Sequence, residues 1–164
     1  MRLCSLAVLL AALPVWGAEV YQPLFFVERS LNMNVVHYDA KLTNGHFDPR
    51  QPIVAYWIIA SENGRREELS LLERTAAYGF TAKRDGSDDS YVMRIVSNHH
   101  EIRVTLKDGV ARAETMIGGH HAYLRKIYVM THKRLTMNIT DFAELQGIDV
   151  DTGEECRERV TQSK

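Results

Sequence analysis

From Val35 to Leu42 polar and apolar side chains alternate, so that Val36, Tyr38, Ala40 and Leu42 fall on one face of a strand and Val35, His37, Asp39 and Lys41 on the other. Ahead of it, Leu24–Arg29 is rich in Phe and Val, and Asn32 and Asn34 between the two runs suit a turn. These runs predict a hairpin. Asn44-Gly45, Asp48 and Pro49 mark Thr43–Gln51 as a surface loop. The run opened by Pro52, PIVAYWIIA, is apolar on both faces and reads as the most central strand of the sheet, ended by Glu62-Asn63-Gly64.

The period then changes. In RREELSLLERTAAYGF, Leu69, Leu72 and Ala76 recur at three- and four-residue spacing, with Leu71 and Ala77 widening the stripe, which predicts a helix over about residues 65–78. Glu67 and Glu68 suit its positive end, Arg74 its negative end, and Gly79 a left-handed closing residue. Hairpin signals follow. Tyr91–Val96, Glu101–Lys107, Val110–Ile117, Ala122–Met130 and Leu135–Ile139 are separated by Ser97-Asn98, Asp108-Gly109, Gly118-Gly119 and His132-Lys133, and a further turn lies at Asp151-Thr152-Gly153. In Ala122–Met130, strict alternation sets Leu124, Tyr128 and Met130 against Tyr123, Ile127 and Val129. Short turns join antiparallel neighbours, so the fold class is mainly β: an antiparallel barrel or curved sandwich of about eight to ten strands with one helix.

The first residues stand apart from this pattern. Met1-Arg2 precedes LCSLAVLLAALPVWGA, an apolar run with small residues at its end, the form of a secretory signal peptide. Cleavage after Gly17 puts Val15 and Gly17 at the small-residue positions, leaving one domain over residues 20–160 that is exported to the periplasm or beyond. The leader is shorter than the roughly 20 apolar residues of a membrane-spanning helix, and no later segment comes closer, so no span is expected in the mature chain. Loss of Cys4 leaves Cys156 without a disulfide partner, among Glu154, Glu155 and Glu158, a poor setting for a reactive thiolate. With 20 Lys and Arg against 21 Asp and Glu, mixed along the chain, no footprint for nucleic acid emerges.

The phrases FFVERSLNMNVVHYDAKL, PIVAYWI, the helical run into AYGF, and IGGHHAYLRKIYV together resemble the bacterial family known as domain of unknown function 4833, over about Leu24 to Val160. The resemblance implies a small exported bacterial domain and carries no assigned activity.

Three constellations are candidates for function. In the polar centre of the first hairpin, Glu28, Arg29, Asn34, His37 and Asp39 combine carboxylates with an imidazole, the materials of acid–base catalysis or of structural ion pairs across strands. Seven histidines (His37, His46, His99, His100, His120, His121 and His132) raise the question of metal, but neighbours on a strand point to opposite faces and no ligand spacing is present; neither metal nor cofactor is predicted. Tyr56, Trp57, Tyr78, Tyr123 and Tyr128 can line an aromatic cavity with Glu28 or Arg29 as its polar anchor. No nucleophile motif accompanies them. The expectation is a non-catalytic module for a small molecule or an envelope protein, with a hydrolase or metal-dependent enzyme using His37 with Asp39 or Glu28 as the alternative.

Overall fold

The computed structural model describes residues 18–86, 89–98, 100–135 and 137–161, apart from the side chains of residues 134, 137 and 138. The leader and His99 lie outside the described residues. Twelve strands and one helix follow in order: β1 (Glu19–Arg29), β2 (Val35–Thr43), β3 (His46–Phe47), β4 (Ile53–Ile59), β5 (Arg65–Glu68), α1 (Leu71–Ala76), β6 (Phe80–Arg84), β7 (Ser90–Ile95), β8 (Ile102–Lys107), β9 (Val110–Ile117), β10 (His120–Arg134), β11 (Met137–Asp149) and β12 (Glu155–Thr161). All belong to one sheet, ordered β5-β4-β2-β1-β10-β9-β8-β7-β6, with β11 and β12 continuing from the other edge of β10. The sheet curls into a half-barrel, within the expected class.

The long β10 is the spine. Its first residues pair with β9 (Ala122↔Thr115, Tyr123↔Glu114) and its middle pairs in parallel with β1 (Phe26↔Lys126, Val129↔Arg29), while β11 runs along the opposite edge throughout. One edge of β10 therefore passes from β9 to β1, and the two wings fork there. At the fork the Gln22 carboxamide does the work of a peptide group: Nε2 donates to the Gly109 carbonyl at 2.8 Å and Oε1 accepts from the Ala111 amide at 2.7 Å. Between the wings lies the core, Phe25, Val36, Tyr38 and Trp57 from one, Met93, Ile102, Val104 and Ile117 from the other, Leu124 and Ile127 from the spine and Leu145 from β11. Each such side chain contributes roughly 1.5–3 kcal/mol by leaving water.

The alternation on β2 holds: Val36, Tyr38 and Ala40 are fully buried on the inner face. So do the turns. Asp108 and Gly109 both take positive φ (53° and 75°), the geometry of a two-residue hairpin turn whose twist matches its strands.

Several expectations need correcting. The helix spans Leu71–Ala76 rather than 65–78, because Arg65–Glu68 pairs with β4 as a charged edge strand (Trp57↔Glu67, Ile59↔Arg65). Ser70 caps the helix, its hydroxyl accepting from the Glu73 amide while the Glu73 side chain accepts from the Ser70 amide. The apolar stripe is not what docks it, for Leu71 and Leu72 are 79% and 74% exposed and only Leu69, before the cap, is buried. Gly79 is not left-handed. It is glycine because a Cβ there would lie 1.6 Å from the Arg74 carbonyl oxygen. Nor is β4 central: it lies next to the end of the sheet, its outer face covered in part by Arg66, which stacks 3.7 Å from the Tyr56 ring. Finally, a register shift between Leu124 and Lys126 brings Ile127 onto the inner face with Leu124 and turns Tyr128 out with Tyr123, a bulge that strict alternation cannot foresee.

Candidate functional site

Adjacent residues on a strand point to opposite faces, and this divides the predicted polar centre in two. Glu28, His37, Asp39 and Tyr56 share the outer face; Arg29 and Trp57 share the inner one.

On the outer face, register places Phe26, His37 and Tyr56 side by side, and their rings stack at 5.8 Å between neighbouring centroids. His37 is thus held between two aromatic rings. Asp39, 4% exposed, accepts from the Tyr56 hydroxyl at 2.5 Å through Oδ2, while its Oδ1 is buried without a hydrogen-bond partner. Burial, reinforced by the Asp39 carboxylate, pushes the Tyr56 phenol up to about 12, so it stays a donor at neutral pH. Glu28 pairs with Lys126 at 3.1 Å across the β1–β10 junction. The carboxylates are therefore engaged with Tyr56 and Lys126 rather than with the imidazole.

On the inner face Arg29 is caged. Its guanidinium lies 4.7 Å from the Trp57 ring centroid and 5.7 Å from that of Tyr78, and its Nε is buried without a hydrogen-bond partner. The Trp57 indole N–H donates to Glu73 Oε1 at 3.1 Å. Burial opposes the Glu73 charge, but bonds from the Ser70 hydroxyl and amide and from Trp57, together with the Arg29 charge, outweigh it and hold the carboxyl below its ordinary range. This cluster pins α1 to the sheet.

The other predicted residues are dispersed. Asn34 Oδ1 accepts from the Ala60 amide at 3.1 Å, tying the first hairpin to the end of β4. Tyr128 lies opposite Glu28, whereas Tyr123 is farther back along β10 under the Arg112 guanidinium. The described histidines other than His37 meet separate carboxylates: His46 with Asp89, His100 with Glu158, His120 with Asp149, His121 with Glu114 and His132 with Asp141. Among the described residues no three His, Cys, Asp or Glu side chains gather as a metal would need. Burial, helped by Asp149, pushes the Cys156 thiol up, away from nucleophilic character.

Two clefts open beside these residues. One, of about 480 Å³, lies at the tip of the first hairpin and is lined by Glu28, Arg29, Leu31, Met33, Val35 and Tyr128. The other, of about 440 Å³ and more enclosed, lies at the seam where the two ends of the curled sheet meet. Ile53, Val54 and Ala55 of β4 form one bank and Gly79 and Phe80 at the start of β6 belong to the other; Tyr21, Gln51, Arg66, Glu68, Leu69 and Arg74 complete the lining. Here apolar side chains of β4 and β6 meet charged groups, and most of the surface the cleft exposes is polar. None of these lining residues is a site candidate from the sequence, which casts Glu68, Leu69, Arg74 and Gly79 only as parts of a helix. The available signal was RREE just past the turn that ends an apolar run, which reads as a charged edge strand as readily as a helix start.

Fold and clefts together define a curled, single-sheet β domain with an open seam. The chain belongs to the family described as domain of unknown function (DUF4833), whose model matches residues 25–159. No curated protein and no solved structure matches it. Among the described residues no helix is long and apolar enough to cross a membrane.

Proposed function

We propose that the chain is an exported domain of the bacterial cell envelope, periplasmic or extracellular, that holds a small molecule or part of an envelope protein in the seam cleft without chemistry. The observation that carries this reading is the seam itself, a partly open cleft where Ile53, Val54, Ala55, Leu69 and Phe80 are set against Arg66, Glu68 and Arg74. A hydrolase or metal-dependent enzyme built on His37 would need that imidazole to share a proton or a metal with Asp39 or Glu28. Asp39 is bonded to Tyr56, Glu28 to Lys126, and His37 lies between rings, so support for that alternative is weaker.

The test is stabilisation by the natural ligand. An envelope extract, divided into small-molecule and polypeptide fractions, is expected to raise the melting temperature of the wild type and not of Gln51→Trp, whose new ring would occupy the cleft mouth. A ligand at about a hundred times its Kd adds about 2.7 kcal/mol. If neither fraction stabilises the protein, or if an ester, phosphate or glycoside is turned over by the wild type and not by folded His37→Ala, the proposal is wrong.

A further inference from the structure

Two hairpins close at the same end of the sheet. β1 and β10 run parallel with Arg29 beside Val129, and the Ser30 hydroxyl, just past β1, accepts from the Thr131 amide at 2.9 Å and donates to the Thr131 carbonyl at 3.0 Å. From that level the chain after β1 turns back into β2 through residues 31–34, while β10 runs on to Arg134, about 10 Å farther at strand rise, before β11 returns. The β10–β11 tip is the more prominent.

Each tip carries a large apolar side chain that the fold does not use. Leu135 and Met33, 94% and 83% exposed, are the two most exposed large apolar residues among the described ones, and Leu31 beside Met33 is 40% exposed. Leu135 also takes a positive φ (56°), a conformation that a bulky side chain disfavours. Every other described residue at positive φ is Gly, Asn or Asp, the types suited to it. Leucine at this turn serves neither packing nor backbone geometry. Met33 is placed similarly, between Asn32 and Asn34, whose own bond (Asn34 amide to Asn32 Oδ1, 3.3 Å) shapes the turn without it. Behind it the cleft of the first hairpin runs from Leu31 and Met33 back to Val35 and Tyr128, and most of the surface it exposes is apolar.

Charge around the tips has one sign. Residues 130–140 contain His132, Lys133 and Arg134 and no acid, and residues 29–35 contain Arg29 and no acid, in a chain whose 20 Lys and Arg nearly balance 21 Asp and Glu. The flanking acids are engaged, Glu28 with Lys126 and Asp141 with His132, and at the third turn of this end Glu62 pairs with Arg65 at 2.6 Å. Arg29 is turned inward beside Glu73, which leaves the basic excess to the longer tip. Two apolar points at different heights make no continuous face for a protein, whereas a fluid interface adapts to them, and its phosphates meet the cations.

We infer that the hairpin end of the domain docks on an anionic phospholipid surface, with Leu135 entering deepest, Met33 and Leu31 following, and Lys133 at headgroup level. The seam cleft and its occupant play no part in this. Two short apolar tips and a few basic residues give reversible attachment rather than a permanent anchor.

The experiment is flotation of the folded chain with vesicles of phosphatidylglycerol and phosphatidylethanolamine, against vesicles of phosphatidylcholine alone. Expected is partition onto the anionic vesicles at least about ten-fold stronger than onto the neutral ones, weakening as salt rises. Met33→Asp combined with Leu135→Asp should reduce it at least about ten-fold, and Lys133→Glu at least about five-fold. Met116→Asp, at an exposed apolar position on β9, and Gln51→Trp in the seam should leave it unchanged. Leu135→Trp supplies a reading that needs no loss of binding: its emission should move to shorter wavelength with anionic vesicles and be quenched by bromine on the acyl chains. Attachment through the apolar leader would survive the tip substitutions, and attachment that survives them overturns the inference. So does an absence of partition, equal partition onto neutral vesicles, or Leu135→Trp emission that vesicles leave unmoved. Self-association that Met33→Asp with Leu135→Asp disperses, without vesicle binding, would assign the tips to a second copy of the chain and overturn it as well.

Discussion

Tyr38→Phe removes one oxygen atom and tests how the seam is held. The Tyr38 side chain is fully buried, its ring stacked on Phe25 at 4.6 Å and edge-on to Phe80 at 6.0 Å. Its hydroxyl donates to the Tyr78 carbonyl at 2.7 Å, joining β2 to the segment that leads from α1 into β6. Burial raises this phenol well above the ordinary range, with Tyr78 adding to the shift, so it remains a donor at any working pH. Phenylalanine keeps the ring contacts and opens no cavity the size of a side chain. What is lost is one hydrogen bond, worth about 1 kcal/mol net, with a part-buried carbonyl left unpaired, which brings the expected cost to about 1–3 kcal/mol. At about 2–4 °C per kcal/mol for a domain of this size, melting should fall by roughly 2–12 °C. Urea unfolding should show a lower midpoint with an unchanged slope, because the surface exposed on unfolding is the same. The amide of Val96, bonded to the Gly79 carbonyl, should exchange faster as that segment loosens. A loss below about 0.5 kcal/mol with Val96 exchange unaltered would show that another contact holds this bank of the seam, and the reasoning would fail.

Two further outcomes follow from the same geometry. Leu69→Ala should cost about 2–5 kcal/mol in urea unfolding, while Leu71→Ser and Leu72→Ser should each stay within about 0.5 kcal/mol; a large loss at either of the latter would restore the apolar-stripe account of α1. The Asp149 carboxyl is held down to about 2, chiefly by the Thr152 amide against the effect of burial, then by His120 and the Asp151 amide, whereas its ordinary value is 3.8. A depressed carboxylate stabilises the fold above its unfolded pKa and ceases to do so as pH falls through the folded one, so the gap in melting temperature between wild type and Asp149→Asn should narrow from about pH 4 to about pH 2; parallel curves would refute it.

Where side-chain period and turn chemistry act locally, the fold was legible. The inner face of β2 and the Asn44-Gly45, Asp108-Gly109 and Gly118-Gly119 turns follow from alternation and from residues that tolerate positive φ. What escaped depends on partners distant in sequence. Arg65–Glu68 has good helical propensity and becomes a strand because β4 presents a free edge beside it, and tertiary pairing overrides local preference. The bulge beyond Leu124 hides in a run whose alternation looks intact. The candidate site failed in part for the simplest of reasons: Glu28 and Arg29 are neighbours on a strand, so proximity in sequence guaranteed that they would face apart. His37 and Asp39 do share a face, as the period required, yet the third partner that decides their chemistry is Tyr56, placed there by the β2–β4 register.

The open seam is a constructed feature rather than a barrel left unclosed. Direct closure would need β6 to pair with β4, and the residues between them act against it. β5 occupies the edge of β4 from Tyr56 to Ile59, and α1 is fastened by the bond from the Trp57 indole to Glu73 and by Arg29 between Trp57 and Tyr78. The chain then doubles back so tightly that only glycine fits at position 79, and the Tyr38 hydroxyl fixes the Tyr78 carbonyl just before β6 begins. Each tie uses a specific buried or half-buried polar group whose loss carries a penalty, whereas a merely incomplete sheet would need none of them. The ties hold the Phe80 bank away from the β4 ladder, with the cleft between them. A cleft held open by such ties is preorganised, since the cost of ordering it was met when the domain folded.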